Sequence, residues 1–261
     1  MKITDIQAHA VWGGARNFLF VTVDTDEGIS GVGEAGITGR ELAVMGAIEH
    51  FRPLLVGQDP LRTEHLWQLL ARGGFFPAQR ILMSAISAID IALWDIKGKA
   101  LGVPVYELLG GAVNERIRVY GHASTPAAAR ELLDAGYTAF KCDPSAETIA
   151  TLREAVGDEV EIGLHGHGEF TVHAAVRLAQ AAEPYNPAFL EEPTHPDELD
   201  ALAAVAAKVA VPLAAGERLF HKWSVYDLIK TGAIALLQPE TTRLGGITEL
   251  KKVAALAEAA G

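Results

Sequence analysis

Disulfide bonds, basic clusters and long hydrophobic runs are all missing from this 261-residue sequence. Its single cysteine, Cys142, has no intramolecular partner, which is compatible with a reducing compartment. Acidic residues outnumber basic ones by 33 to 22, giving a net charge of −11, and no basic cluster is present to bind nucleic acid or an anionic membrane. No apolar run is long enough to span a bilayer, and the N-terminal residues lack the apolar core of an export signal. We therefore expect a cytoplasmic protein that binds neither nucleic acid nor membranes.

The sequence divides into two regions of different pattern. Residues 1–112 contain three strand-like stretches that predict an antiparallel meander, followed by helical patterns near 38–55, 61–71 and 81–101. Residues 113–261 instead alternate short apolar stretches with Ala- and Leu-rich helical segments, which predicts parallel β/α units. We count six such units. The predicted fold is an α+β N-terminal domain plus a TIM-type (β/α) barrel that is incomplete after about six units.

Polar residues close the predicted strands of the second region at a regular interval. His165, Glu191 and Glu217 are spaced 26 residues apart, the length of one strand plus one helix, and Glu240 follows after another 23. Successive strands of a parallel β/α array end on the same face, so these side chains can converge on one point. Convergent carboxylates at a barrel mouth indicate a site for a divalent cation.

Several motifs occur in the order and spacing of a known family. They are FKCD with Lys141, HGHGEF with His167, FLEEP with Glu191, AAGERL with Glu217 and QPETTRLGGITE with Glu240. With DTDEGISGVGEA and ILMSAISAIDIALWDIKGKALG in the first region, they resemble the enolase superfamily, in its mandelate racemase and muconate lactonizing enzyme branch. Within that branch they resemble most the galactonate dehydratases and related sugar-acid dehydratases. The resemblance covers essentially the whole chain and implies a capping domain at 1–112 and an incomplete barrel domain at 113–261.

The resemblance implies a lyase that removes water from a sugar acid, such as the aldonate galactonate. A base takes the proton next to the carboxylate, an enolate forms, the β-hydroxyl leaves as water, and a 2-keto-3-deoxy acid results. A divalent cation facing the carboxylate lowers the barrier, because proton removal adds a second negative charge to an anionic group. The implied cofactor is Mg²⁺. The expected partners are the sugar acid and further copies of the chain, because the open edges of such a barrel invite contact.

Three residues are expected to hold this cation: His165, Glu191 and Glu217. Glu191 is the first glutamate of the EEP motif, which is the one that the family uses. Glu217 alone would be an ordinary strand-end glutamate paired with Arg218 or solvent, but it lies in register with Glu191. His165 departs from the family pattern, because the related dehydratases carry Asp there and imidazole prefers softer ions than Mg²⁺. Either His165 is a ligand in a site that accepts Mg²⁺, Mn²⁺ or Zn²⁺, or it holds a water on the ion, or the site is damaged; we favour the first.

The resemblance assigns catalytic roles to Lys141, His167 and Glu240. Lys141 lies where the family places a lysine that faces the substrate, as a base or as a partner of the carboxylate; its alternative is an ordinary surface lysine. His167 matches the general acid of the dehydratases, a role that suits an imidazole, and its alternative is a loop histidine bonded to backbone. Glu240 matches the acidic residue that orients a histidine base on the seventh strand. We expect that histidine a few residues beyond residue 261.

Other functions stay open on the sequence alone. Racemases, epimerases and cycloisomerases share the proton abstraction on this scaffold, and a chain without its base would be a catalytically impaired fragment that binds metal or sugar acid. The histidine at position 167 favours dehydration, and exchange of the substrate α-proton would separate an enzyme from a binder. Of the remaining histidines, His122 and His195 are expected near the barrel mouth and have no assigned role.

Overall fold

The N-terminal region forms an antiparallel sheet with helices packed on it, as predicted. The computed structural model describes residues 1–261. The strands here are β1 (Ile3–Trp12), β2 (Asn17–Thr25) and β3 (Ser30–Ala35), and the helices are α1 (Glu41–Leu55), α2 (Thr63–Arg72), α3 (Arg80–Leu101) and α4 (Val105–Leu108). The strands pair in the order β1-β2-β3. Alternate residues of β2 are buried, which is the pattern of a sheet with one face on an apolar core.

The rest of the chain alternates strands and helices. These elements are β4 (Gly121–His122), α5 (Pro126–Asp134), β5 (Ala139–Cys142), α6 (Ala146–Val156), β6 (Glu161–His165), α7 (Val172–Ala182), a 3₁₀ turn (Glu183–Tyr185), β7 (Phe189–Glu191), α8 (Leu199–Ala206), β8 (Leu213–Ala215), α9 (His221–Lys230), β9 (Leu236–Leu237), α10 (Thr241–Leu244) and α11 (Gly246–Ala260). None of the helices combines the length and the apolar character needed to cross a membrane.

Strands β4 to β9 form one parallel sheet whose spatial order is their order in the chain. Six parallel strands connected by helices are the arrangement of a partial (β/α) barrel, so the predicted fold class is confirmed. The two edge strands are shorter than the apolar patterns suggested. The apolar stretch near 117–122 forms a strand only at Gly121 and His122, and the stretch at 235–240 forms one only at Leu236 and Leu237. Ile117 and Val119 are largely exposed, so apolar character alone overstated the length of the first strand.

Helix starts in the barrel region follow from local sequence. Thr125, Ser145 and Thr171 stand just before α5, α6 and α7, and each hydroxyl accepts a hydrogen bond from a backbone N–H in the first turn. The strands β5 and β6, which precede α6 and α7, are almost continuously buried, as expected for a parallel sheet covered on both faces. Each strand therefore ends a few residues before a fixed helix start, and the side chains at the strand ends sit on a rigid frame.

The chain forms two compact units that do not follow its linear order. The first unit contains residues 1–113, 218–226 and 239–261, and the second contains 114–217 and 227–238. The division into a capping domain at 1–112 and a barrel domain at 113–261 stays a prediction, because the observed units are discontinuous in the chain.

The C-terminal helix belongs to the first unit, where α11 packs against α3. The buried carboxylate of Asp90 accepts a hydrogen bond from the Thr248 backbone N–H at 2.9 Å, which satisfies a donor in the first turn of α11. The Trp67 indole donates to the Gly245 carbonyl at 2.8 Å. Specific polar contacts thus hold the last helix to elements that precede it by more than 140 residues.

Candidate active site

Three of the predicted site residues lie side by side at the ends of neighbouring strands of the second unit. Lys141 is in β5, His165 is the last residue of β6 and Glu191 is the last residue of β7. In the parallel register, His165 is paired with Glu191, and Lys141 is paired with Gly163 two residues before His165. Residues at this edge of a β/α sheet are the usual source of catalytic side chains.

Lys141 and Glu191 form a close ion pair. The Lys141 Nζ atom donates to both carboxylate oxygens of Glu191, at 2.9 Å to Oε1 and 3.0 Å to Oε2. The Glu191 side chain is only 3% exposed, and that of Lys141 is 21% exposed. A buried carboxylate needs such a partner, because removing an unpaired charge from water costs several kcal/mol.

Gln238, just beyond β9, completes the surroundings of Glu191. Its Nε2 lies 3.3 Å from Glu191 Oε2 and 3.1 Å from the hydroxyl oxygen of Tyr120. Its carbonyl oxygen Oε1 is buried and accepts no hydrogen bond. Neither Gln238 nor Tyr120 was predicted from the sequence, although Gln238 stands in the same QPE motif as Glu240. The free acceptor of Gln238 can receive a hydroxyl group of a ligand.

A chain of three imidazoles lies beside this pair. His165 Nε2 is 2.8 Å from His122 Nε2, and His165 Nδ1 is 2.9 Å from His167 Nε2. The His165 ring is buried, whereas His122 and His167 are exposed. Burial, with further contributions from His167, Lys141 and His122, lowers the pKa of His165, so this ring is held as neutral imidazole. Neutral imidazole is the form that binds metal ions.

The HGHG motif holds His167 in an unusual backbone conformation. The Gly166 and Gly168 N–H groups donate to the Glu191 and Glu192 carbonyls at 2.7 and 2.6 Å. A Cβ atom on Gly166 would come within 3.0 Å of the Glu192 carbonyl, so glycine permits this close approach. His167 and Glu192 have φ of 51° and 38°, in the left-handed region that non-glycine residues seldom adopt. Such conformations persist where the surroundings fix them, and they are frequent at functional sites.

His122, Asp143 and His165 form a group that can hold a metal ion. Their candidate ligand atoms all lie within 4.8 Å of one another, and Asp143 Oδ1 is 3.8 Å from His165 Nε2. From the sequence, His122 was expected near the barrel mouth without a role, and Asp143 appeared only as part of the FKCD motif. The signal for His122 was its place at the end of the first apolar stretch of the second region.

The predicted ligand set His165, Glu191 and Glu217 stays a prediction. His165 and Glu191 are paired across β6 and β7, and Glu217 follows β8 as a half-buried residue three positions after Ala214, which pairs with Glu191. Two carboxylates suit a hard divalent cation, and the imidazole suits a softer one. The donors of this set therefore fit a divalent cation in general better than Mg²⁺ in particular.

Glu240 belongs to the first unit and has a local structural role. It precedes α10, and its Oε1 accepts a hydrogen bond from the Thr242 backbone N–H at 3.0 Å. This is a helix N-cap, which stabilises the start of α10. Its predicted role in orienting a base stays a prediction.

Comparisons with known proteins identify the family. Residues 7–110 match the model for the mandelate racemase / muconate lactonizing enzyme N-terminal domain, and residues 124–261 match the model for the enolase C-terminal domain-like family. The chain belongs to the enolase superfamily, in its mandelate racemase and muconate lactonizing enzyme branch. The resemblance found in the sequence motifs is thereby confirmed.

Similar members of the enolase superfamily include a curated protein and solved structures. The D-galactonate dehydratase of Verminephrobacter eiseniae is 40% identical over 280 aligned residues, covering 99% of this chain and 72% of the relative. An enolase from Agrobacterium radiobacter, solved with sodium and L-malate bound, superimposes with a TM-score of 0.93 at 36% identity, covering 100% of this chain and 72% of that one. The 3,6-anhydro-D-galactonate cycloisomerase of Zobellia galactanivorans gives 0.94 at 30% identity, covering 100% and 78%.

Proposed function

We propose that this enolase-superfamily protein dehydrates a sugar acid of the aldonate class, such as galactonate, to a 2-keto-3-deoxy acid. The protein is an enzyme of the lyase class, and its relatives include many D-galactonate dehydratases. The main support for dehydration of an aldonate is the position of a carboxylate next to two imidazoles. An ion-paired carboxylate, Glu191, stands directly beside the imidazoles of His165 and His167 at the ends of adjacent strands.

We propose that a divalent cation is held by Glu191 and Glu217 with His165 as the third ligand, Mg²⁺ being the first candidate and Mn²⁺ the second. When bound, such an ion supplies electrostatic stabilisation of the charge that develops on the substrate carboxylate. The protein's part is to hold two carboxylates and one imidazole on the ends of β6, β7 and β8. The rigid β/α frame fixes these positions before the substrate arrives.

His167 is proposed as the general acid. Its Nε2 is engaged by His165, so Nδ1 is the nitrogen that can donate a proton to the departing β-hydroxyl. Its exposure allows a ligand to reach it, and the tight backbone hydrogen bonds of the flanking glycines fix its position. A positioned general acid typically contributes about 10²–10⁴-fold to the rate of such a step.

Lys141 is proposed to bind the substrate carboxylate rather than to remove the proton. In this structure its amine donates to both oxygens of Glu191. An amine that donates in this way has no lone pair with which to accept a proton. The same ammonium is placed to attract an anionic substrate toward Glu191 and its neighbours.

A polyhydroxy acid suits the remaining polar groups of the site. Gln238 Oε1 is a buried acceptor without a partner, and a substrate hydroxyl would satisfy it. The relative from Agrobacterium radiobacter carries L-malate, itself a hydroxy acid, which supports a substrate of this chemistry.

The test is a panel of aldonates and aldarates incubated with the protein and Mg²⁺ or Mn²⁺. Semicarbazide detects keto-acid formation, and NMR in D₂O detects exchange of the substrate α-proton. We expect metal-dependent keto-acid formation from at least one member, abolished in Glu191→Gln. Binding without exchange or product would instead identify a catalytically impaired sugar-acid-binding protein.

A cycloisomerase is the second candidate, because the Zobellia enzyme of that name shares the fold closely. It would also exchange the α-proton but would form a product without loss of water. Mass spectrometry of the product separates the two, since dehydration lowers the substrate mass by one water and cycloisomerisation leaves it unchanged.

We also propose a homo-oligomer in the cytoplasm. The support is the pair of unpaired sheet edges at β4 and β9 and the apolar side chains Ile117, Val119 and Leu236 exposed beside them. Light scattering coupled to size-exclusion chromatography measures the subunit number, and a monomer at micromolar concentration would contradict the proposal.

A further inference from the structure

We infer that His122, Asp143 and His165 form a site for a borderline transition-metal ion, such as Zn²⁺ or Co²⁺, and that this site discriminates against Mg²⁺. This imidazole-rich set shares only His165 with the carboxylate set proposed above. The inference concerns which ion the protein holds and where, and it does not depend on the reaction that the protein catalyses.

The three residues come from three consecutive parallel strands. His122 ends β4, Asp143 follows β5 and His165 ends β6. The register pairs His122 with Lys141, two positions before Asp143, and pairs Cys142 with Leu164, the residue before His165. All three side chains therefore start from a fixed backbone, which is the usual requirement for a metal site of defined geometry.

Their separations are close to those that one ion requires. Two ligand atoms at about 2.0–2.1 Å from a tetrahedral ion lie roughly 3.3 Å apart. The His122 and His165 Nε2 atoms are 2.8 Å apart, and Asp143 Oδ1 is 3.8 Å from His165 Nε2. Side-chain movements of about half an ångström convert these two distances into the ion-bound ones. The third separation, between the His122 and Asp143 ligand atoms, is within 4.8 Å and closes by rotation of the exposed Asp143 side chain. A change of tautomer at His122 frees its Nε2 lone pair, and the ion then replaces the hydrogen bond between the two rings.

His165 is also held as a metal-ligating histidine usually is. Its second ring nitrogen, Nδ1, is hydrogen-bonded to His167 Nε2 at 2.9 Å. Such an outer partner fixes the tautomer and the ring orientation, so that the first nitrogen faces the ion. His167 thus acts on this site as a positioning residue.

The ligand atoms of this set favour Zn²⁺ over Mg²⁺. Two imidazoles and one carboxylate are the ligands of many catalytic zinc sites, whereas Mg²⁺ prefers oxygen ligands in octahedral geometry. Glu191, the buried carboxylate of the competing set, already has both oxygens bonded to Lys141. An ion on the carboxylate set has to disrupt that pair, and an ion on the imidazole-rich set does not.

Calorimetric titration with Zn²⁺ in the presence of excess Mg²⁺ tests the inference. We expect His122→Gln and Asp143→Asn each to weaken Zn²⁺ binding at least ~10-fold, because removing an outer partner alone costs that much. Glu191→Gln removes no ligand of this set, so it should weaken Zn²⁺ binding by clearly less than either of these variants. His173→Gln, at an exposed histidine on α7, is the matched control for adventitious binding by surface imidazole.

Spectra of the unmodified protein test the same site without any variant that could fail to fold. X-ray absorption of the Zn²⁺-loaded protein should show imidazole nitrogen scatterers, and the Co²⁺ form should show the strong visible bands of a low-coordinate site. Unchanged Zn²⁺ affinity in His122→Gln would overturn the inference, as would an oxygen-only spectrum. Loss in Glu191→Gln with unchanged affinity in His122→Gln would place the ion on the carboxylate set instead, and equal losses in both variants would overturn the inference of a separate imidazole-rich site.

Discussion

The Lys141 ammonium bridges both oxygens of the Glu191 carboxylate, which is almost completely buried. Replacing Lys141 by Met leaves that carboxylate in the interior with only Gln238 as a partner. We expect the free energy of unfolding to fall by about 3 kcal/mol in urea denaturation at neutral pH. The double variant Lys141→Met/Glu191→Gln removes both charges and should regain most of that loss. A change within about 0.5 kcal/mol, as for an exposed ion pair, would show that Glu191 is solvated.

Restoring an oxygen ligand at position 165 should reverse the ion preference. Because Asp offers a hard carboxylate and removes the central imidazole, His165→Asp should tighten Mg²⁺ binding at least ~10-fold and weaken Zn²⁺ binding by a similar factor. Calorimetry with each ion separately measures both. Weaker or equal Mg²⁺ binding would mean that His165 is not a ligand of the carboxylate set.

Removing the proposed acid should separate the two halves of the reaction. His167→Asn keeps a polar side chain but cannot protonate a leaving hydroxyl, so keto-acid formation should fall by about 10²–10⁴-fold. Exchange of the α-proton, which precedes loss of water, should persist. The ratio of product to exchanged substrate, measured by NMR in D₂O, is the readout. Equal loss of exchange and product would assign His167 to proton removal or to binding.

Asp90 should make the protein less stable as the pH rises through the neutral range. Burial raises the pKa of Asp90 to about 7, against hydrogen bonds from Thr248 that lower it. Between pH 4 and 7 the unfolded chain releases this proton while the folded protein retains it, so the free energy of unfolding falls with increasing pH. The full effect is on the order of 4 kcal/mol and is complete above pH 7.

Asp90→Asn should flatten that part of the stability profile, as followed by urea denaturation from pH 4 to 8. Asp227→Asn changes an exposed carboxylate on α9 and should leave the slope as it is. A profile for Asp90→Asn that parallels the wild type would assign the pH dependence to other groups.

Strand order and the polar residues at the strand ends could be read from the sequence. Buried parallel strands give short apolar runs of regular spacing, and Lys141, His165 and Glu191 lie at the ends of three of them. The imidazole-rich set was not predicted, because β4 has only two residues and is preceded by exposed ones. Whether Asp143 turns toward His165 depends on side-chain direction, which no spacing encodes.

Long-range packing was also beyond the sequence pattern. The amphipathic pattern of α11 predicts a helix with one buried face, and it does not say which surface covers that face. The answer depends on single contacts, such as Asp90 with Thr248 and Trp67 with Gly245, between residues far apart in the chain. Glu240 was selected as a catalytic support from its motif, and its helix-capping bond became visible only in the structure.

Because each unit is built from separate stretches of the chain, the gene cannot be cut at one point into two complete units. The chain passes from the first unit to the second and back twice, at 113/114, 217/218, 226/227 and 238/239. A gene cut after residue 113 would give one product that lacks part of the first unit, and a second that carries the whole second unit together with residues 218–226 and 239–261 of the first. The piece 1–113 would lack α11, whose place against α3 would be left open to solvent. Recombination at the apparent domain border is therefore disfavoured, and the two units are expected to be exchanged between proteins together.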